Sequence, residues 1–331
     1  MSQFSVVSGK VVDELLKGGE EDVIERVRAA YLAHGARDSI NPDSYFLRFP
    51  DKPDSRIIAL PAYLGGEVDT AGIKWISSFP KNTSAGRARA SAVLVLNDYE
   101  TGYPFALLEG ASISAARTAA SAALAARTLA VRPPTSVGVV GGGVIARTIC
   151  RYLHRSGTPL TEVRCHDLDE AAAAALGRHL SDSFGADARA TGLAEALDCD
   201  LVVLATTALA PYIPAEHVFR PGQLVLNVSL RDLAPELLLS ADNVLDDVEH
   251  CLKAQTSPHL AEQLTGSRDF VTGTLAEVLA GTVGLDPERP TVFSPFGLGV
   301  LDLAVGHYLY GRAAEQGLLL QVPDFFGGTL R

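Results

Sequence analysis

The chain has 331 residues, 47% hydrophobic and 20% charged, enough to bury a large core and to suggest about two domains rather than a disordered chain. A formal net charge of −11 argues against a nucleic-acid backbone or an anionic membrane as the main partner, since both require clustered positive charge. It leaves room for a small anionic substrate held by a local group of Arg and Lys. Cys150, Cys165, Cys199 and Cys251 show neither CxxC spacing nor His at metal-ligand spacing, so reduced, buried thiols of a cytoplasmic protein are expected and no metal site. The start of the chain has no basic segment followed by an apolar one, so no secretory signal is expected. The alanine-rich run 111–130 is broken by Arg117 and Arg127 and reads as a buried helix rather than a membrane span.

In chain order, residues 11–36 read as one charged amphipathic helix. Residues 54–61, 71–77 and 91–97 read as strands, being short, apolar and partly β-branched. The turn 98–104 (DYETGYP) lets 105–109 pair back as a hairpin, and 112–130 forms a long helix stopped at Arg132-Pro133-Pro134. Beyond it the rhythm changes. Strands at 136–141, 161–167, 200–206, 223–229 and 243–247 alternate with helices at 144–156 and 169–184. Near-continuous apolar strands separated by helices indicate an α/β fold with a parallel, doubly wound Rossmann sheet. The helix 299–316 is expected to return to the first domain. The expected division is 1–131 with 305–331, and 132–304.

The segment SVGVVGGGVIARTI places Gly141-x-Gly143-x-x-Ala146 directly after an apolar strand and at the start of a helix. Gly141 makes the tight turn, Gly142 continues it, and Gly143 lets a pyrophosphate approach the backbone. Ala146 lets the helix pack close. Val144 and Ile145 lie in the first turn, whose free N–H groups and positive dipole suit phosphate. Asp167, 26 residues after Gly141, ends the next strand and can accept from ribose hydroxyls. With no Arg or Lys immediately after it, the cofactor expected is NAD rather than NADP. Thr206 and Thr207 end the fourth strand, either lining the same crevice or capping the strand.

A nucleotide fold leaves the substrate open. Arg48, Lys74, Arg89 and Arg117 fall on first-domain elements that otherwise read as buried, and several such cations together suggest a carboxylate site. Asp232 follows the strand at 223–229. It reads either as an N-cap for the next helix or as a base, and spacing alone favours the cap. Asp246 and Asp247 read as solvated or capping carboxylates at a strand end.

The fragments IKWISSFPKN, LNDYETGYPFALLEG, SISAARTAASAALAARTLA, VGVVGGGVIA and NVSLRDLAPELLLSADNVLDD together resemble the ornithine cyclodeaminase/mu-crystallin family over roughly 40–315. The resemblance implies a homodimer with a Rossmann domain in the middle and an α+β substrate and dimerisation domain built from both chain ends. It implies that Lys74, Arg117 and Arg48 hold substrate carboxylate and that Lys74 and Asp232 are catalytic. It further implies that Arg117 and Thr118 touch the nicotinamide half of NAD, and that Asn227, Ser229 and Leu230 run along its ribose. Asp302 lies near the active site by family position, behind the residues that touch substrate.

RIIALPAYLGG, GIKWISS, RASAVLVLND and DDVEHC resemble a branch acting on N-(2-amino-2-carboxyethyl)-L-glutamate, releasing L-2,3-diaminopropionate and 2-oxoglutarate for siderophore or peptide-antibiotic pathways. One departure bears on the substrate. Ornithine cyclodeaminases carry an acid in the strand before Lys74, where this chain reads Arg56-Ile57-Ile58-Ala59-Leu60-Pro61. That argues against ornithine cyclisation, and Arg56 and Arg89 would suit a substrate with several carboxylates. Ketimine reduction, alanine dehydrogenation and mu-crystallin-like ligand binding remain open from the sequence.

Overall fold

A computed structural model describes residues 4–327, which form two units. The first extends to Arg117 and resumes at Leu298. Its sheet has the order Leu320–Val322, Phe4–Val7, Pro104–Glu109, Ala90–Asp98, Thr70–Ser78, Lys52–Leu64, Ser39–Ile40, and Tyr45–Phe49 also pairs with Lys52–Leu64. All pairs are antiparallel except Phe4–Val7 with Pro104–Glu109.

The register across Lys52–Leu64, Thr70–Ser78 and Ala90–Asp98 is continuous from Arg56↔Ser78↔Ala90 to Leu64↔Thr70↔Asp98. Side chains alternate along a strand, so Thr70, Gly72, Lys74, Ile76 and Ser78 share one face and Trp75 belongs to the other. The Lys74 face packs on helix Gly299–Glu315. Glycine makes the close approach possible: a Cβ on Gly72 would lie 2.7 Å from Leu303, and one on Gly306 2.2 Å from Leu94. The long helix expected at 11–36 is two helices, Gly9–Leu16 and Glu20–Gly35. Gly18 breaks it with φ of +78°, a conformation that costs glycine little.

The second unit runs from Thr118 to Gly297. Its sheet is parallel throughout, in the order Asp187–Ala190, Glu162–His166, Ser136–Val140, Leu201–Leu204, Leu224–Asn227, Thr291–Ser294, Asp242–Leu245, Val271–Thr274. Its central strands are buried on both faces, as their unbroken apolar runs require. Strand order reverses between Ser136–Val140 and Leu201–Leu204, the switch point at which open α/β sheets bind ligands. This is the Rossmann arrangement expected from the sequence.

The division between units falls earlier than Arg132-Pro133-Pro134. Helix Gly110–Leu129 gives its first turns to one unit and the rest to the other. The returning helix belongs to the first unit from its start: a Cβ on Gly299 would lie 3.1 Å from Ala62. The strands Phe4–Val7, Tyr45–Phe49 and Thr291–Ser294 were not singled out in the sequence. Among the described residues no helix is long and apolar enough to cross a membrane.

Candidate active site

The glycine turn is built as its sequence demands. Gly141 has φ of +103°, and a Cβ there would lie 2.5 Å from the Ala205 carbonyl oxygen. A Cβ on Gly142 would meet the Ala172 carbonyl oxygen at 2.8 Å, whereas one on Gly143 meets nothing within 4 Å. The first two glycines are therefore required by the fold, and the third leaves open space above the backbone. Gly143 is the N-cap of helix Val144–Arg155, with no side-chain cap bond. Val144 is 72% exposed and Ile145 half-buried, so the helix presents donors that no side chain of its own N-cap satisfies. Ala146 is buried, as close packing requires. These features fit a pyrophosphate. Asp167 Oδ2 accepts from Gly142 N–H at 2.7 Å and Oδ1 from Asp169 N–H at 2.9 Å. The acid thus braces the turn, and each oxygen keeps a lone pair for a ribose hydroxyl.

Beside the switch point, Asp232 is 0% exposed. Thr206 Oγ1 donates to its Oδ1 at 2.5 Å, and Ser229 Oγ donates to its Oδ2. Leu230 adopts φ of +76° between them, a strained turn for a branched side chain that lets Ser229 and Asp232 face each other. Asp232 is not the cap that spacing favours. The next helix, Pro235–Leu239, has Ala234 as N-cap and no side-chain cap bond. Tyr212, which the sequence did not single out, gives its N–H to the Asp232 carbonyl at 3.1 Å. Burial, then the charge of Asp232, pushes its phenol well above the ordinary range. Thr207 is exposed. Asn227 donates through Nδ2 to Ser294 Oγ at 3.1 Å, and its Oδ1 is buried without a partner.

In the first unit the fold gathers a cationic pole. Lys74 is 2% exposed, and its Nζ donates to Asp302 Oδ2 at 2.6 Å and Ser114 Oγ at 3.1 Å. Arg117 approaches the other oxygen of Asp302 through Nε at 3.3 Å and Ser114 through an Nη at 3.4 Å. Asp302 is 0% exposed and is the direct counterion of both cations. The signal was present in the sequence, since Asp302 is the sole acid in the apolar run 299–314 and a buried Lys needs one. Two cations against one carboxylate leave a net positive charge, which suits an incoming carboxylate. Thr118 follows Arg117 on the same helix and is half-buried.

Burial, with the Arg117 charge beside it, lowers the Lys74 pKa to about 8. Protonated Lys74 is the form that attracts carboxylate. Affinity for a small carboxylate, measured by calorimetry, is therefore expected to fall as pH rises through about 8. Lys74→Arg should move that inflection to much higher pH, because guanidinium keeps its proton. An affinity that stays flat from neutral to mildly alkaline pH contradicts this account.

Other expectations need correction. Arg48 is not on a buried element: strand Tyr45–Phe49 is exposed at four of its five residues, because it pairs only with Lys52–Leu64. Arg48 stacks over the Phe46 ring at 5.1 Å and makes no bond to Lys74 or Arg117. Arg89 lies just before strand Ala90–Asp98, half-buried, with Nε donating to Ser78 Oγ at 3.3 Å. Asp247 caps helix Val248–Cys251 as expected. Asp246 is not solvated but buried, and accepts the N–H groups of Phe296 and Gly297 at 2.8 and 2.7 Å. It holds the loop after Thr291–Ser294.

The sequence profile of the ornithine cyclodeaminase/mu-crystallin family matches residues 14–317. The chain belongs to this family. The N-((2S)-2-amino-2-carboxyethyl)-L-glutamate dehydrogenase of Staphylococcus aureus is 29% identical over 308 residues, covering 89% of this chain and 91% of that one. Among solved structures, a Thermococcus litoralis delta(1)-pyrroline-2-carboxylate reductase in complex with NADH and L-proline superposes with a TM-score of 0.89 at 25% identity, covering 96% of this chain and 100% of that one. An archaeal alanine dehydrogenase dimer with bound NAD superposes with a TM-score of 0.88 at 26% identity, covering 98% and 100%.

Proposed function

We propose that this protein is an NAD-dependent oxidoreductase acting on a CH–NH bond. The substrate we propose is N-(2-amino-2-carboxyethyl)-L-glutamate, cleaved to L-2,3-diaminopropionate and 2-oxoglutarate. The observation that carries the first part is the buried Lys74–Asp302–Arg117 pole, net positive and built to hold an amino-acid carboxylate. The likeness to the Staphylococcus aureus enzyme supports the substrate. So does position 58. Ile58 pairs with Ile76 on the Lys74 face, where ornithine cyclisation would call for an acid.

NAD, when bound, supplies the acceptor for the hydride of the glutamate α-carbon. Gly141, Gly142, Gly143, Val144 and Ile145 would hold its pyrophosphate and Asp167 its ribose. Arg117, Thr118, Thr206, Asn227, Ser229 and Leu230 would serve the nicotinamide half. Lys74 and Arg117 fix the carboxylate so that the α C–H presents in one orientation. Asp232 takes the proton that the secondary amine loses as the imine forms, gives it back to the imine nitrogen, and then takes one from the water that adds to the α-carbon. The C–N bond breaks as the nitrogen is reprotonated, which releases diaminopropionate. The assay is NADH absorbance from purified protein, NAD+ and the conjugate. No NADH from the conjugate, but turnover of L-alanine or ornithine, would replace the substrate and keep the family.

The proposed assembly is a homodimer. Tyr45, Ala59, Trp75 and Val93 form a row across the sheet face opposite Lys74, with Leu47 beside it. Tyr45 is 69% and Trp75 42% exposed, an apolar face that a monomer rarely leaves to water. A second copy is the occupant we propose, since the superposed alanine dehydrogenase is a dimer. Trp75→Glu is expected to shift the protein from dimer to monomer in sedimentation velocity. Wild type sedimenting as a monomer would refute the assembly.

A further inference from the structure

Oxidative cleavage of an amino acid by NAD+ and water sets one proton free. The ammonium substrate, NAD+ and water become an oxo acid, an ammonium product, NADH and one H+. The base that collects this proton must hand it to solvent before the next turnover. Asp232 is 0% exposed and cannot do so unaided. Thr206, Ser229 and Tyr212 bring hydroxyls to its carboxylate. Thr206 Oγ1 donates to Oδ1 and accepts the Ala208 N–H at 3.1 Å, and Ser229 Oγ donates to Oδ2. The Tyr212 hydroxyl is hydrogen-bonded to Asp232 and to Thr206. Backbone bonds hold it there. Tyr212 and Ile213 both give their N–H to the Asp232 carbonyl, at 3.1 and 3.0 Å, and Ala234 gives its N–H to the Ile213 carbonyl at 3.0 Å. Ile213 and Leu233 thereby form a parallel bridge. Both are 0% exposed and lie in the core, so alternation turns Tyr212 and Asp232 together to the other side. Tyr212 is 37% exposed, whereas Thr206 and Ser229 are half-buried. Of these hydroxyl-bearing residues, Tyr212 is the one that joins the buried carboxylate to water.

We propose that Tyr212 is the proton exit of Asp232. The protonated Asp232 carboxyl gives its O–H proton to the phenol oxygen while the phenol passes its own proton to water. Asp232 regains its charge, the phenol stays neutral and hydronium leaves. Rotation about the phenol C–O bond then restores the starting arrangement. Burial, and then the Asp232 charge, hold the phenol well above the ordinary tyrosine range, so it stays un-ionised between transfers. A hydroxyl that both donates and accepts can pass a proton without ever carrying charge. This inference rests on Asp232 acting as the base of a CH–NH oxidation, as in the function proposed above, but not on which amino acid is oxidised.

The test follows NADH absorbance and a pH indicator together by stopped flow, in weak buffer. The substrate is the conjugate or L-alanine, whichever yields NADH. Wild type should release its proton in step with NADH. Tyr212→Phe should form the first NADH at the wild-type rate but release the proton late, and its kcat should fall by about 10²-fold, the low end of what a proton-transfer group contributes. Imidazole, a small proton carrier, should restore much of that rate, which a loss of packing would not allow. NADH fluorescence titration verifies that the variant is folded. A Tyr212→Phe enzyme that releases proton and NADH together at the wild-type rate overturns the exit, as does a slow variant that imidazole does not accelerate. If neither amino acid yields NADH with wild type, the oxidoreductase reading itself fails and the exit falls with it.

Discussion

Asp302→Asn is expected to destabilise the protein by about 3–5 kcal/mol at neutral pH, because it leaves Lys74 charged and buried without its counterion. Arg117 loses the same partner. The least costly escape is for Lys74 to release its proton, so its folded-state pKa should fall below the wild-type value of about 8. The unfolded chain then binds more protons than the folded one between that lowered value and the ordinary lysine range. Stability of the variant must rise with pH across this window. Urea denaturation at neutral and at alkaline pH reads both effects. A deficit that is small, or that does not shrink with pH, would mean the pair is solvated. Lys74→Met combined with Asp302→Leu should recover much of the lost stability, since an apolar pair of similar size can replace a buried ion pair. It should not recover activity, because the carboxylate pole is gone. That contrast separates a packing role from a binding role for the same two residues.

Asp232→Asn is expected to lower kcat by about 10²–10⁴-fold while leaving NAD binding nearly unchanged. An amide cannot take a proton, yet it fits the same space. It can still accept from one of Thr206 and Ser229, so the loop should keep its course. The helix Pro235–Leu239 takes no cap from Asp232, so the substitution removes no cap and the melting temperature should move little. Stopped-flow NADH formation and NAD fluorescence titration on one preparation give the two numbers. Full turnover by the variant would assign Asp232 to holding the loop. Because the carboxylate is fully buried, its protons must travel through a neighbour. Thr206 and Ser229 are the half-buried hydroxyls in contact with it.

Much of this molecule follows from local sequence. The glycine turn was legible because its determinants are local: a strand, a positive φ, a close carbonyl and a helix start lie within a few residues. Strands with continuous apolar runs, such as Ser136–Val140 and Leu201–Leu204, were legible for the same reason, as was the parallel order, since strand–helix alternation admits few connections. Lys74 and Arg117 stood out because a cation in an apolar run has to be explained.

Only the tertiary structure decided what those cations face. Asp302 reaches Lys74 across 228 positions of sequence, and no periodicity encodes such a pairing. The same holds for Arg89 and Ser78, which meet because register sets Ser78 against Ala90. It holds for Asp246, whose charge stays buried because the backbone of Phe296 and Gly297 comes to it. The sequence by itself determined a phosphate-binding turn and a set of unexplained cations. The fold gathered Lys74 and Arg117 around Asp302, because side chains alternate along a strand and the Lys74 face packs on helix Gly299–Glu315. The glycine turn is a property of a few neighbouring residues, whereas the carboxylate pole is a property of the whole first unit.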